Sequence, residues 1–141
     1  MMNSSLEVKR TIKAPIEKVW QAWTDQEAVK KWYSPEQMSV GTAEVDLRSG
    51  GAYRIVMDGP DGQHVVGGTY IEVQKPSKLV FSWKWEGSDT SDSKVTVELA
   101  EVDSNTTEVT LRHEDLAGDK DVQMHTQGWD STLRNLEAYI G

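Results

Sequence analysis

The side chains best placed to do chemistry are one arginine and two histidines that fall on otherwise apolar parities. His113 shares the parity of Val109 and Leu111 at the end of an alternating run, so it is expected to point to a cavity or its rim; His125 stands in a stripe with Val122, Trp129 and Leu133. Imidazole titrates near neutral pH, so either could serve a bound molecule as acid, base or polar handle, and either could equally be a hydrogen-bonded structural histidine. Arg10 alternates with Leu6, Val8 and Ile12. A buried guanidinium without a partner is prohibitively costly. It must therefore hold the carboxylate or phenolate of a ligand, or pair with a carboxylate such as Glu44 or Asp46 on a facing strand.

Other chemistries find no support in the spacing. The third histidine, His64, lies beside the Asp61-Gly62 turn and reads as solvated; no two histidines stand four apart on one helix, and Glu114 and Asp115 read as loop charges, so no metal is expected. There is no cysteine, which removes disulfides, thiolate nucleophiles and Cys-ligated zinc together. Arg48 before Gly50-Gly51 belongs to turn chemistry, and no phosphate or dinucleotide loop is present. No Ser or Thr stands in a nucleophile-elbow or triad context. No catalytic residue and no cofactor is assigned.

The aromatic usage is uneven: six Trp against a single Phe. Trp carries one N–H that wants a partner, so it suits semi-polar walls better than a dry centre. Trp20, Trp23 and Trp32 fall in the first part of the chain, Trp83 and Trp85 on one strand parity, and Trp129 near the C-terminus. Any one of them is expected to be ordinary core. As a group, with Tyr53, Met57, Phe81 and Met124, they could line a pocket for a flat or aliphatic molecule, the methionines supplying adaptable packing. The candidate ligand-binding set is Arg10, Trp32, Tyr53, Met57, Phe81, Trp83, Trp85, His113, His125 and Trp129.

The elements that must position these residues follow from periodicity. Leu6 to Ile12 alternates as a half-buried strand. Pro15 suits the first turn of a helix carrying Ile16, Val19, Trp20 and Trp23. Thr24 or Asp25 caps a short second helix from Ala28 to Trp32, which Pro35 ends. From Met38 to His113 about six strands are separated by turns at Ser49-Gly50-Gly51, Gly59 to Gly62, Pro76-Ser77, Gly87 to Asp92 and Asp103 to Asn105. One face is apolar (Tyr53, Ile55, Met57; Leu79, Phe81, Trp83, Trp85; Val95, Val97, Leu99; Val109, Leu111), and the other carries Lys84, Glu86, Glu98, Glu108 and Arg112. From about Asp119 to Ile140 the period returns to helical, with a close approach or kink expected at Gly128. The order is strand, two short helices, about six strands, long helix: an α+β fold in which the last helix covers a curved antiparallel sheet, leaving a gap that large side chains must line or fill.

The 141 residues bound the chain to one domain, 1–141, with enough length for a core. The net charge is -8. Residues 86–121 hold eleven acids against three bases, a difference of eight, so the rest is neutral. Such a chain would be repelled by nucleic acid. No basic start followed by an apolar run precedes the first strand, and no stretch approaches the roughly 20 apolar residues of a membrane span. The expected location is the cytoplasm.

Ala14-Pro15, Val19-Trp20, Ala22 to Asp25 with Glu27 and Trp32, Asp46-Leu47-Arg48 with Gly50-Gly51, Gly67 to Tyr70 with Glu72-Val73, Leu79 with Phe81 and Trp83, and Gly128-Trp129 with Leu133 and Leu136 together resemble the SRPBCC superfamily. Within it, the chain is similar to single-domain proteins resembling the C-terminal domain of the activator of heat shock protein 90 ATPase. The resemblance implies a helix-grip fold, like that of the birch-pollen allergen and START domains, with a hydrophobic cavity between sheet and long helix. The superfamily spans lipid carriers, hormone receptors, cyclases, resistance proteins and a co-chaperone domain, so fold alone does not choose among them. The leading expectation is a binding protein for a hydrophobic or aromatic small molecule. The alternatives are a protein-interaction module whose partner is a chaperone or other protein, and a cyclase- or hydrolase-like enzyme using His113, His125 or Arg10.

Overall fold

The computed structural model describes residues 4–34, 38–87 and 92–140. The elements run β1 (Ser4–Ile12), α1 (Ile16–Thr24), α2 (Gln26–Trp32), β2 (Ser39–Val45), β3 (Ala52–Gly59), β4 (Gly62–Gln74), β5 (Lys78–Trp85), β6 (Ser93–Asp103), β7 (Thr106–Leu116) and α3 (Asp119–Ile140). The order and the bounds of the last helix match the sequence reading. The expected helix stop at Pro35 and most of the turn from Gly87 to Asp92 lie outside the described residues.

Pro15 sits one position before α1, its carbonyl accepting from the Lys18 and Val19 amides. Asp25 caps α2, its side chain accepting from the Glu27 amide at 3.4 Å. These two helices present Val19, Trp20, Ala22, Trp23, Val29 and Trp32 to the core.

The seven strands form one antiparallel sheet in the order β1-β7-β6-β5-β4-β3-β2. Its inner face is the apolar parity: Tyr53, Ile55, Met57, Leu79, Phe81, Trp83, Val95, Val97, Leu99, Val109 and Leu111 are all buried. Register shifts in the β1–β7, β2–β3, β4–β5 and β6–β7 pairs add the local bends that let a wide sheet curve. One close approach depends on glycine. A Cβ at Gly68 would overlap the Ser82 carbonyl oxygen, the same atom that accepts the Tyr53 hydroxyl at 2.6 Å. The fold is a helix grip: the concave face holds α3, which buries His125, Trp129, Thr132, Leu133 and Leu136.

The long helix is not centred on the sheet. Its closest backbone approaches are to β1, α1 and α2, and it meets β5 and β7 through the side chains of His125 and Trp129. Arg10 of β1 bonds Glu137 of α3 through Nε at 2.9 Å and Nη2 at 2.7 Å, with Asp130 at 3.9 Å from Nη1. This corrects the expected partners Glu44 and Asp46. They belong to β2 and the turn after it, at the opposite edge of the sheet from β1.

Candidate functional site

Between the middle of α3, from Met124 to Arg134, and strands β3 to β5 lies a cavity of about 790 Å³. Its apolar lining comes from Tyr33 after α2, Met38 before β2, Met57 of β3, Trp83 and Trp85 of β5, and Met124 and Trp129 of α3. Four rings form one continuous surface: Trp83 lies 4.9 Å from Trp129, 5.5 Å from Trp85 and 6.4 Å from Tyr33, and Tyr33 lies 6.0 Å from Trp129. Polar residues edge it, among them Gln63, His64, Glu86, Gln127, Asp130 and Arg134.

Of the ten candidates, Met57, Trp83, Trp85, His125 and Trp129 line this cavity. The other five do not, each for a physical reason. Arg10 is held in its ion pairs on the β1 side. Trp32 is fully buried under α1, its indole donating to the Ala22 carbonyl at 2.9 Å and its ring edge-on to Trp23 at 4.7 Å. Tyr53 and Phe81 border a separate void of only about 10 Å³, closed by Trp23, Tyr33 and Tyr70, too small for an organic molecule. His113 is wholly buried rather than at a rim.

The two histidines form parallel indole–imidazole pairs. An indole N–H can only donate. Trp129 Nε1 therefore donates to His113 Nδ1 at 3.0 Å, which leaves the proton on His113 Nε2 to bond Ser93 Oγ at 2.7 Å. Ser93 in turn donates to the Trp83 carbonyl at 3.0 Å. In the second pair, Trp85 Nε1 donates to His125 Nε2 at 3.2 Å, and His125 Nδ1–H donates to the Asp121 carbonyl at 2.8 Å. The imidazole rings meet at 5.0 Å. Burial first, and His125 second, pull the His113 pKa from 6.5 down to about 3. Every nitrogen of both rings is thus engaged in holding aromatic walls together. The polar residues on apolar parities that motivated an acid–base reading are accounted for by these pairs and by the Arg10 ion pairs.

Sequence reasoning passed over Tyr33 and Met38. Tyr33 directly follows Trp32, and an inventory of all aromatics rather than of Trp would have included it. His64, expected to be solvated, sits at the cavity edge, 3.1 Å from Asp61 and edge-on to Trp85 at 6.4 Å. Gly128 also lines the cavity, and a Cβ there would meet nothing within 4 Å, so open space replaces the expected close approach. Arg48 pairs with Asp46 beside its turn at 3.0 Å. Among the described residues, no group of three or more His, Asp or Glu comes together as a metal site, and no helix is long and apolar enough to cross a membrane.

A concave antiparallel sheet, a gripped C-terminal helix and an aromatic cavity between them define an SRPBCC-type cavity protein. The chain belongs to the family described as activator of Hsp90 ATPase homolog 1-like protein, whose model matches residues 13–141. Among solved structures it is similar to protein CV1439 from Chromobacterium violaceum, at 27% identity and a TM-score of 0.83, over 96% of each chain. It is also similar to the AHSA1 protein from Silicibacter pomeroyi, at 25% identity and a TM-score of 0.86, over 96% of each chain. CalU16 from Micromonospora echinospora shares 25% identity with a TM-score of 0.74, covering 99% of this chain and 77% of that one. Among curated proteins no sequence match is found.

Proposed function

We propose that the protein binds a hydrophobic or aromatic small molecule in the cavity between the sheet and α3. The observation that carries this reading is the cavity of about 790 Å³, within the range of small-molecule sites and lined by Tyr33, Trp83, Trp85, Trp129 and three methionines. Met57, Trp83, Trp85, His125 and Trp129 would contact the ligand. Native mass spectrometry of the purified protein and titration with N-phenylnaphthylamine test the reading. A copurified small molecule, or saturable probe binding that quenches tryptophan emission, is expected; a protein with no bound molecule and no affinity for the probe would overturn it.

A second reading is a protein-interaction module that docks a chaperone. The family description favours it. The excess of acids over residues 86–121 would steer association with a basic surface, and such steering weakens with salt. Pull-down with the middle domain of heat shock protein 90 at low and high salt distinguishes it, since absence of salt-sensitive binding removes the idea.

A further inference from the structure

The charges around the cavity mouth follow a pattern that composition does not reveal. Among the described lining residues, the side chains that can carry charge are His64, Glu86, His125, Asp130 and Arg134. Glu86 is held by Arg54 in a two-bond fork at 2.7 and 3.2 Å. Asp130 lies 3.5 Å from Arg134 and 3.9 Å from Arg10, which itself bonds Glu137 at 2.7 Å. Each of the three arginines is therefore paired with a carboxylate, and a fourth carboxylate, Asp61, is paired with the His64 ring. His64 lies against Asp61 at 3.1 Å, and His125 has both nitrogens engaged. Deeper in, the lining is indole, phenol and thioether.

We infer that the cavity takes an uncharged aromatic molecule and discriminates against its charged analogues. This rests on the ligand-binding reading above and adds the chemical class to it. A charged group brought to the mouth loses hydration and meets no described counter-charge free to receive it. An anion must displace Asp130 from Arg134, or Glu86 from Arg54, and face the carboxylate it has displaced. A cation must displace an arginine from the same carboxylates, or the His64 ring from Asp61. An uncharged aromatic ring loses only weak hydration and gains contact with the Tyr33–Trp83–Trp85–Trp129 surface.

Two probe pairs that share a ring system and differ in one charged substituent test this by tryptophan quenching: N-phenylnaphthylamine against anilinonaphthalene sulfonate, and acridine against N-methylacridinium, at a pH where acridine is neutral. The uncharged member of each pair is expected to bind about tenfold tighter or more. Gly128→Trp, which projects an indole into the open space over the cavity, is expected to abolish binding of the uncharged probes, with circular dichroism confirming the fold. Asp130→Asn frees Arg134 and is expected to raise sulfonate affinity by about threefold or more. Glu101→Gln, on β6 away from the cavity, removes the same charge and is expected to leave the ratio unchanged. Charged members that bind as tightly as uncharged ones would overturn this inference alone. Equal shifts in Asp130→Asn and Glu101→Gln would overturn it too, because net charge rather than the paired mouth would then set the preference. No binding by any probe would overturn the ligand-binding reading and this one with it.

Discussion

His113 gives a single buried ring a large part in the acid stability of this protein. Its folded-state pKa of about 3 lies below the 6.5 of an unfolded histidine, so the folded state is the one that resists the proton. The stabilisation this represents is complete above pH ~6.5 and is lost progressively as pH falls from there to 3, at about 1.4 kcal/mol per pH unit. Between pH 6.5 and 4 that amounts to about 3 kcal/mol, a large share of the ~5–15 kcal/mol that holds a domain folded. The causes are burial first and the neighbouring His125 second, and a proton on Nδ1 would also set two donors, it and the Trp129 N–H, against each other. His113→Gln keeps one acceptor and one donor but cannot titrate. It loses ring contacts with Trp83 and His125, which costs about 1–2 kcal/mol at pH 7. Urea unfolding of both proteins from pH 7 to pH 4 reads the difference: the advantage of the native histidine should shrink by about 3 kcal/mol and change sign. Parallel curves, with a constant gap across that range, would refute the reasoning.

The remaining expectations concern packing and the residues that proved not to line the cavity. Trp129→Phe removes the donor to His113, whereas Trp83→Phe removes an indole N–H that is buried without a partner, so by urea unfolding the first should cost about 1–2 kcal/mol more than the second. Gly128→Ala should stabilise by up to about 1 kcal/mol in thermal unfolding, because its Cβ enters open space in a helix interior. Gly68→Ala should destabilise by about 1–3 kcal/mol or more, because backbone rather than a flexible side chain occupies the Cβ position. Arg10→Ala should leave N-phenylnaphthylamine affinity unchanged and cost about 1 kcal/mol, its ion pairs being only partly buried; a several-fold loss of probe affinity would return Arg10 to the site.

Periodicity made the sheet faces and α3 legible because burial on one face of a strand or helix leaves a repeat in the sequence. Tyr53, Ile55 and Met57 read correctly for that reason, as did Val95, Val97 and Leu99. Parity gives the side of the sheet but not the depth. His113 is on the correct side, yet it lies under Trp129 and against Ser93, and neither neighbour leaves a mark at short sequence separation. Arg10 shows a second limit. Its partner depends on β1 lying beside β7 and next to α3, a long-range choice that brings position 10 to position 137. Trp32 shows a third, since a helix whose inner face meets α1 buries its tryptophan in a different layer from the cavity.

The uneven placement of α3 explains why one set of aromatics fills space and another encloses it. Where α1 and α2 close over the concave face, Trp23, Tyr33, Tyr53, Tyr70 and Phe81 leave about 10 Å³ between them. Where the middle of α3, from Met124 to Arg134, faces β3 to β5, the space widens to about 790 Å³. Residues at that end must present large apolar surfaces without collapsing onto one another. The two indole–imidazole pairs supply that restraint, since each ties an indole of the wall to a ring that is itself fixed by a backbone carbonyl or a serine. At Trp85 and Trp129 this is why tryptophan stands where Phe would offer similar area: Phe has no donor, and without Nε1 these two walls would lose the bonds that hold them beside an open space.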